Sequence, residues 1–312
     1  MRRLALVAAA ACSITPAVHA DPVWRGDFES GDLSQWSEVE GLTSRLTVVP
    51  SPVRQGNYAL RVELRNGDYA NGGSRNELVR SEPQTEGMDR YYGWSTMFDA
   101  SYPSSSSWQV FTQWHHSGLN GSPPLEFDVS GEEMHLGCNT RGEIVLWKAP
   151  LVRGVWHDFV VHVRWSANPD LGFVELWYDG QKVLERTVVQ TLFAGTYTYL
   201  KQGLYRDASI VPTGVVYHDG MTIGTSLADV APQLVPAPPP LPDAGTPDAG
   251  TPDAGMTPEA DGGAAQISPA QPAPPVAQSG IGFPGQGCSS AGSVGGLLLA
   301  AFALLRPRGR RG

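Results

Sequence analysis

GFVELWYDGQKVLERTVV, residues 172–189, sets two alternating runs rich in Val, Leu, Trp and Tyr on either side of Asp179-Gly180. Asp-Gly between such runs signals a two-residue hairpin turn, because both turn residues need positive φ. The same pattern recurs in YALRVEL (58–64), RYYGWSTMF (90–98), WQVFTQWH (108–115), LEFDVS (125–130) and EMHLGCN (133–139). It continues in EIVLWKA (143–149), WHDFVVHVRW (156–165), YTYLKQGLYR (197–206) and VVYHDGMTIG (215–224). These runs are bounded by Gly, Pro, Asn or Ser clusters, as strands are. No stretch of ten or more residues holds a helical period. Eleven or more strands in one unit predict an all-β fold, an antiparallel β-sandwich of two curved sheets in a jelly roll. Such a fold has a concave face suited to an extended polymer.

Composition sets the limits of that unit. Of the 26 Pro, 15 lie beyond Val230, whereas 26 of the 28 aromatic residues precede Ala231. Burial must offset chain entropy, so residues 21–230 form the globular domain and the Pro-rich remainder builds no core. Residues 1–20, MRRLALVAAAACSITPAVHA, read as a signal peptide: a basic start, an apolar stretch and small Val18 and Ala20 before the expected cut. Residues 231–286, with APPPLP and three TPDAG repeats, read as a semi-extended linker. Residues 287–312 hold Gly287-Cys288, an apolar run and an Arg cluster. That order resembles the MYXO-CTERM class of bacterial sorting tails, which implies a secreted protein tethered to the cell surface or outer membrane.

Residues 21–230 carry 16 Lys and Arg against 26 Asp and Glu, a balance of −10, with no basic run that would track phosphates. Nucleic acid is therefore excluded as a partner, and a heavily sulfated polyanion is disfavoured. Cys138 alone lies in the domain, which excludes an internal disulfide framework.

Strand alternation assigns polar residues to faces. In WQVFTQWH, Gln109, Phe111, Gln113 and His115 share one face, and Val110, Thr112 and Trp114 the other. In YTYLKQGLYR, Tyr199, Lys201, Gly203 and Tyr205 share a face opposite Leu200 and Leu204; in GSRNELVR, Arg75 and Glu77 lie together opposite Leu78. Together they supply what β-elimination at a uronate requires. The carboxylate must be neutralised so that the C5 proton becomes acidic, a task for Gln, Arg or His. A base takes that proton and an acid protonates the departing O4. Tyr can do either once neighbouring cations lower its unperturbed pKa of about 10.

RNELV (75–79), QWH (113–115) and YLKQGLY (199–205), in that order, resemble the R-x-E-L, Q-x-H and Y-x-K-x-G-x-Y blocks of jelly-roll polysaccharide lyases of the heparin-lyase-I/glucuronan-lyase type. The likeness extends through DFESGDLSQW, GNYALRVEL, GVWHDFVVHVRW and VVYHDGMTI, across residues 24–224. It implies a concanavalin A-like jelly roll and a lyase acting on a uronic-acid polysaccharide, glucuronan- or alginate-like. By motif, Tyr205 is the acid/base residue and His115 a proton-transfer partner or carboxylate neutraliser. Gln113 and Arg75 hold the carboxylate, and Lys201 sets the charge near Tyr205. Which of Tyr205 and His115 is the base stays open. The alginate-lyase pattern usually reads RSELR and QIH where this chain has RNELVR and QWHH, which favours the glucuronan/heparin-lyase-like side.

Glu77, Trp114, Tyr199 and His135 complete the expected substrate-binding set, with Glu77 orienting Arg75. The chemistry needs no cofactor, and the absence of an H-E-x-x-H pattern or a Cys/His cluster argues against catalytic zinc. Asp27, Glu29 and Asp219 are candidate oxygen ligands for a structural Ca²⁺, since first and last strands often pair in sandwiches. A monomer is expected. Two other functions fit the fold. A carbohydrate-binding module would need only aromatic platforms such as Trp114 or Tyr199. A glycoside hydrolase would use Glu126 and Asp128 of LEFDVSGEE, but the second Glu of that motif is replaced by Ser130-Gly131.

Overall fold

The computed structural model describes residues 21–118 and 121–234. The signal peptide, most of the linker and the sorting tail expected from the sequence lie outside the described residues. Fifteen strands follow in chain order among them: β1 (Trp24–Gly26), β2 (Glu38–Glu40), β3 (Leu46–Val49), β4 (Ala59–Leu64), β5 (Ser74–Gln84), β6 (Asp89–Phe98), β7 (Ser105–His116), β8 (Leu125–Gly131), β9 (Glu133–Cys138), β10 (Ile144–Pro150), β11 (Trp156–Arg164), β12 (Phe173–Tyr178), β13 (Gln181–Val188), β14 (Thr198–Arg206) and β15 (Gly214–Gly224). A four-residue helix, α1 (Leu227–Val230), closes the domain and is capped by Ser226 and Asp229.

Two antiparallel sheets result. One runs β13-β12-β11-β6-β15-β4-β3, with β1 also paired to β15; the other runs β10-β9-β8-β7-β14-β5-β2. The expected β-sandwich jelly roll is what forms. Every alternating run read from the sequence is a strand, and the Asp179-Gly180 hairpin turns with φ of 47° and 78°. First and last strands pair, Trp24 lying opposite Ile223. Three strands escape the sequence reading: β1, β2 and β3 are three or four residues long. Segments that short carry too few alternations to register.

Aromatic side chains fill the space between the sheets. Trp114 on β7 meets Tyr92 on β6 with ring centroids 4.9 Å apart, and Trp94 stacks on Phe159 at 5.1 Å beside Phe127 at 5.2 Å. Burying each such ring stabilises the sandwich by roughly 1.5–3 kcal/mol. His218 on β15 ties the two sheets together. Its Nε2 donates to the carbonyl of Gly203 on β14 at 3.0 Å, and the Thr96 hydroxyl lies 3.0 Å from its Nδ1.

Alternation fails at one decisive place. The β7–β8 register shifts between Val110 and Thr112, and the β7–β14 register shifts between Gln202 and Tyr205. An extra residue in a ladder reverses which side chains face inward. Gln109 and Phe111 are therefore buried, Phe111 in the aromatic core and Gln109 bonded to the carbonyl of Pro103, rather than sharing a face with Gln113. Trp108 and Val110 take their place on the concave side.

Candidate active site

The seven-stranded sheet places β14 between β7 and β5, which brings three sequence-distant motifs side by side. Register sets the details. Tyr199 lies opposite His115 and Lys201 opposite Gln113 across the β7 ladder. On the other edge Tyr205 lies opposite Arg75, and Gly203 opposite Glu77. Glycine is required at 203: a Cβ there would sit 2.3 Å from the carbonyl oxygen of Asn76. Above these strands runs a groove of about 800 Å³, lined among others by Arg75, Gln113, His115, Tyr199, Lys201 and Tyr205.

Beneath it the charges are paired. Glu77 is 1 % exposed and accepts from Gln113 Nε2 at 2.6 Å and Arg75 Nη1 at 3.4 Å. Burial pushes its carboxyl up, against the opposing pull of Lys201 and Arg75. It orients the donors from below and does not line the groove. Lys201 Nζ bonds to Glu40 on β2, which also accepts from Asn71 at 2.7 Å and lies 3.6 Å from Arg75. Burial opposes ionisation of Glu40, but the hydrogen bonds from Lys201 and Asn71, with the charges of Lys201 and Arg75, hold its pKa below the ordinary value. The cation at Tyr205 is Arg75, whose guanidinium lies 3.8 Å over the ring. Trp108 meets the same ring edge-on at 4.8 Å.

His115 is held differently. Its Nδ1 lies 2.9 Å from the carbonyl oxygen of His116, an acceptor only, so Nδ1 carries the hydrogen and Nε2 keeps its lone pair. Burial is the largest influence on its pKa, and with the charges of Lys201, His116 and Arg75 it outweighs that hydrogen bond and lowers the value to about 4. The imidazole is neutral at physiological pH. Tyr199, 5.8 Å away by ring centroid, is pushed up by burial and by Glu40, Glu38 and Glu77, so its phenol stays protonated.

Trp114 and His135 of the expected substrate-binding set are placed outside the groove lining. Trp114 is fully buried against Tyr92 and Trp94 and meets no substrate; Trp108, 37 % exposed, supplies the aromatic surface at the groove instead. His135 Nδ1 is held by Asp128 at 3.1 Å, outside the groove lining. Among the described residues no group of three or more His, Cys, Asp or Glu is placed to hold a metal ion, so Asp27, Glu29 and Asp219 do not meet as a cluster of three carboxylates. Asp27 accepts from Gln35 and the Glu29 amide, Glu29 from the amides of Asn57 and Tyr58, and Asp219 from those of Arg54 and Gln55. Oδ1 of Asp219 is left buried without a partner, and burial pushes that carboxyl up to about 6 against the backbone bonds from Gln55 and Arg54.

Glu40, Asn71 and Trp108 are groove residues that motif reading missed. Glu40 sits on a three-residue edge strand, and Trp108 is turned to the concave side by the register shift. No signal in the run marks Trp108 for the groove, because it alternates in phase with Trp114 on the expected core face. Glu126 and Asp128, read above only as part of an incomplete hydrolase motif, also line the groove.

Comparison with known proteins agrees with this architecture. A comparison with curated proteins finds no match. In structure the chain is similar to an endo-β-1,4-glucuronan lyase from the fungus Trichoderma reesei, with a TM-score of 0.56 and 20% identity over 67% of this chain and 98% of that one. It is also similar to the catalytic domain of a glycoside hydrolase family 131 protein from Coprinopsis cinerea, with a TM-score of 0.50 and 16% identity over 65% and 94% of the two chains. At such identities the likeness establishes the shared fold. Residues 28–222, well over half of the chain, match the polysaccharide lyase family model, and the chain belongs to the polysaccharide lyase family.

Proposed function

We propose that this lyase cleaves a uronic-acid-containing polysaccharide with a glucuronan- or alginate-like backbone by β-elimination. The observation that carries the reading is the joint placement of carboxylate donors and proton-transfer groups along one groove: Gln113 and Arg75 over Glu77, with His115 and Tyr205 on neighbouring strands. That the Trichoderma reesei neighbour is a glucuronan lyase supports the same substrate class.

In this mechanism Gln113 and Arg75 take the uronate carboxylate and stabilise the negative charge that develops when C5 loses its proton. The free Nε2 of neutral His115 accepts that proton. The electron pair of the C5–H bond becomes the C4–C5 double bond, and the C4–O4 bond breaks. O4 takes a proton from the Tyr205 hydroxyl, leaving an unsaturated uronate on one product and a new hydroxyl on the other. His115 fits the base better than the carboxylate neutraliser, because its lone pair accepts and cannot donate. Protonated Tyr199 donates a hydrogen bond to a sugar oxygen beside His115. The signal-peptide-like start and the Cys288–Arg tail support export and surface display of the domain.

Incubating the protein with glucuronan, alginate and heparin and following absorbance of a conjugated uronate near 235 nm (an approximate figure) tests the reaction. Growth of that absorbance is expected with a uronic polymer. Binding of such polymers without any absorbance gain would instead make the domain a binding module.

A further inference from the structure

The groove is divided by charge. Arg75 and Lys201 are the Lys and Arg side chains that line it among the described residues, and both are already engaged, Lys201 by Glu40 and Arg75 by Glu40 and Glu77. The other half, over β8 and beyond, is lined by Glu126, Asp128 and Glu143 with no cation among them. Glu126 lies directly opposite Gln113 in the β7–β8 ladder, and Asp128 opposite Val110. Asn139 Nδ2 donates to Glu126 Oε1 at 2.8 Å and holds that carboxyl at the groove wall.

Because the groove crosses the strands, neighbouring strands about 4.8 Å apart present successive positions to an extended chain. A sugar whose carboxylate is held at Gln113 therefore has its neighbour over Glu126 and Asp128. A second carboxylate there meets like charges with no Lys or Arg lining that half, and His135 already held by Asp128, whereas sugar hydroxyls find acceptors. We infer that the groove takes a uronate at the Gln113–Arg75 position and an uncharged sugar beside it. The preferred substrate is then a heteropolysaccharide with glucuronan- or alginate-like linkages whose uronates are spaced by neutral residues, ahead of a polymer with a carboxylate on every sugar. This rests on the lyase reading above and names its substrate class.

The electrostatics of Glu126 agree. Burial pushes its carboxyl up to about 7, and the charges of Asp128, Glu143 and Glu77 add to the rise against the bond from Asn139. A further carboxylate would add to the same unfavourable field. A polymer of spaced uronates also suits a groove whose two cations are paired before any substrate arrives, because it asks for one carboxylate site only.

The test compares glucuronan with glucuronan in which half of the carboxylates have been reduced to primary alcohols, so that linkage and backbone are unchanged. Assays run near pH 8, where Glu126 is charged, and kcat/KM is expressed per uronate. Wild-type protein is expected to favour the partly reduced polymer by at least about tenfold. Glu126→Gln and Asp128→Asn are expected to narrow that ratio to about twofold or less by raising the rate on intact glucuronan. Equal rates, or a preference for intact glucuronan, in the wild type overturn the inference and leave the lyase reading standing, and this arm needs no variant to fold. A wild-type preference that neither variant moves overturns the assignment to Glu126 and Asp128. Absence of unsaturated product from both polymers overturns the lyase reading itself and the inference with it.

Discussion

On its core face the seven-stranded sheet carries Phe111 and Trp114 from β7 and Leu200 and Leu204 from β14, all in the aromatic interior. On its concave face the same two strands carry Gln113, His115, Tyr199, Lys201 and Tyr205, knitted by hydrogen bonds to Glu40, Glu77 and the His116 carbonyl. One face is held by non-directional burial and tolerates a change in chemistry only at the cost of a cavity. The other is held by directional pairs, so a change of one atom alters function and leaves the burial nearly intact. The difference shows that neighbouring residues of a single strand answer to separate demands, stability on one face and chemistry on the other.

Tyr205→Phe gives the sharpest separation of the two faces. Removing one oxygen on the concave side should lower turnover by about 10²–10⁴-fold, as loss of a proton-transfer group does, with the melting temperature almost unmoved. Retained turnover would take Tyr205 out of the chemistry. Trp114→Ala should do the reverse. Emptying its place beside Tyr92 and Trp94 should cost about 3–5 kcal/mol in denaturant unfolding, while the protein that remains folded keeps its specific activity. A loss confined to activity would return Trp114 to the substrate side.

His218 probes the core through pH. It is fully buried, and burial lowers its pKa from 6.5 to about 4 despite the bond to Gly203. The folded state holds it neutral while the unfolded chain protonates it below about 6.5. Its contribution is therefore present above pH 6.5 and is lost as pH falls toward 4, an effect of up to about 3 kcal/mol. Unfolding free energies measured across that window should show the decline, and His218→Gln should flatten it. An unchanged pH slope in the variant would place the decline elsewhere. Gly203→Ala couples the faces, because its Cβ would press on the Asn76 carbonyl and push β14 from β5. A loss of about 1–3 kcal/mol together with at least tenfold lower turnover is expected. Movement of only one readout would show that the faces are less tightly joined at Gly203 than the register implies.

Much of this was legible before any coordinates. Alternation located every long strand, and Asp179-Gly180 located a hairpin whose two positive φ angles the structure reproduces. The three motif blocks name six of the residues along the groove, Arg75, Gln113, His115, Tyr199, Lys201 and Tyr205. Trp114 was misplaced as a platform because its motif neighbours, Gln113 and His115, are functional, although its alternation phase already pointed inward. Gln109 and Phe111 lie on the other face from the one their alternation predicts, because a register shift leaves no trace in residue type. Glu40 was invisible because three residues of edge strand carry no period, and its importance arises from partners 35 and 161 positions away, Arg75 and Lys201.

The opening hairpin thus stands for what the chain determines locally: turn chemistry and side-chain period depend on adjacent residues, so strand identity and the all-β class follow from sequence alone. Which strands lie side by side, where a ladder slips, and which carboxylate meets which cation depend on contacts between distant segments. Those contacts are chosen by the packing of the whole sandwich. The neutral state of His115, the pairing of Lys201 with Glu40 and the acidic half of the groove were for that reason decided only by the tertiary structure.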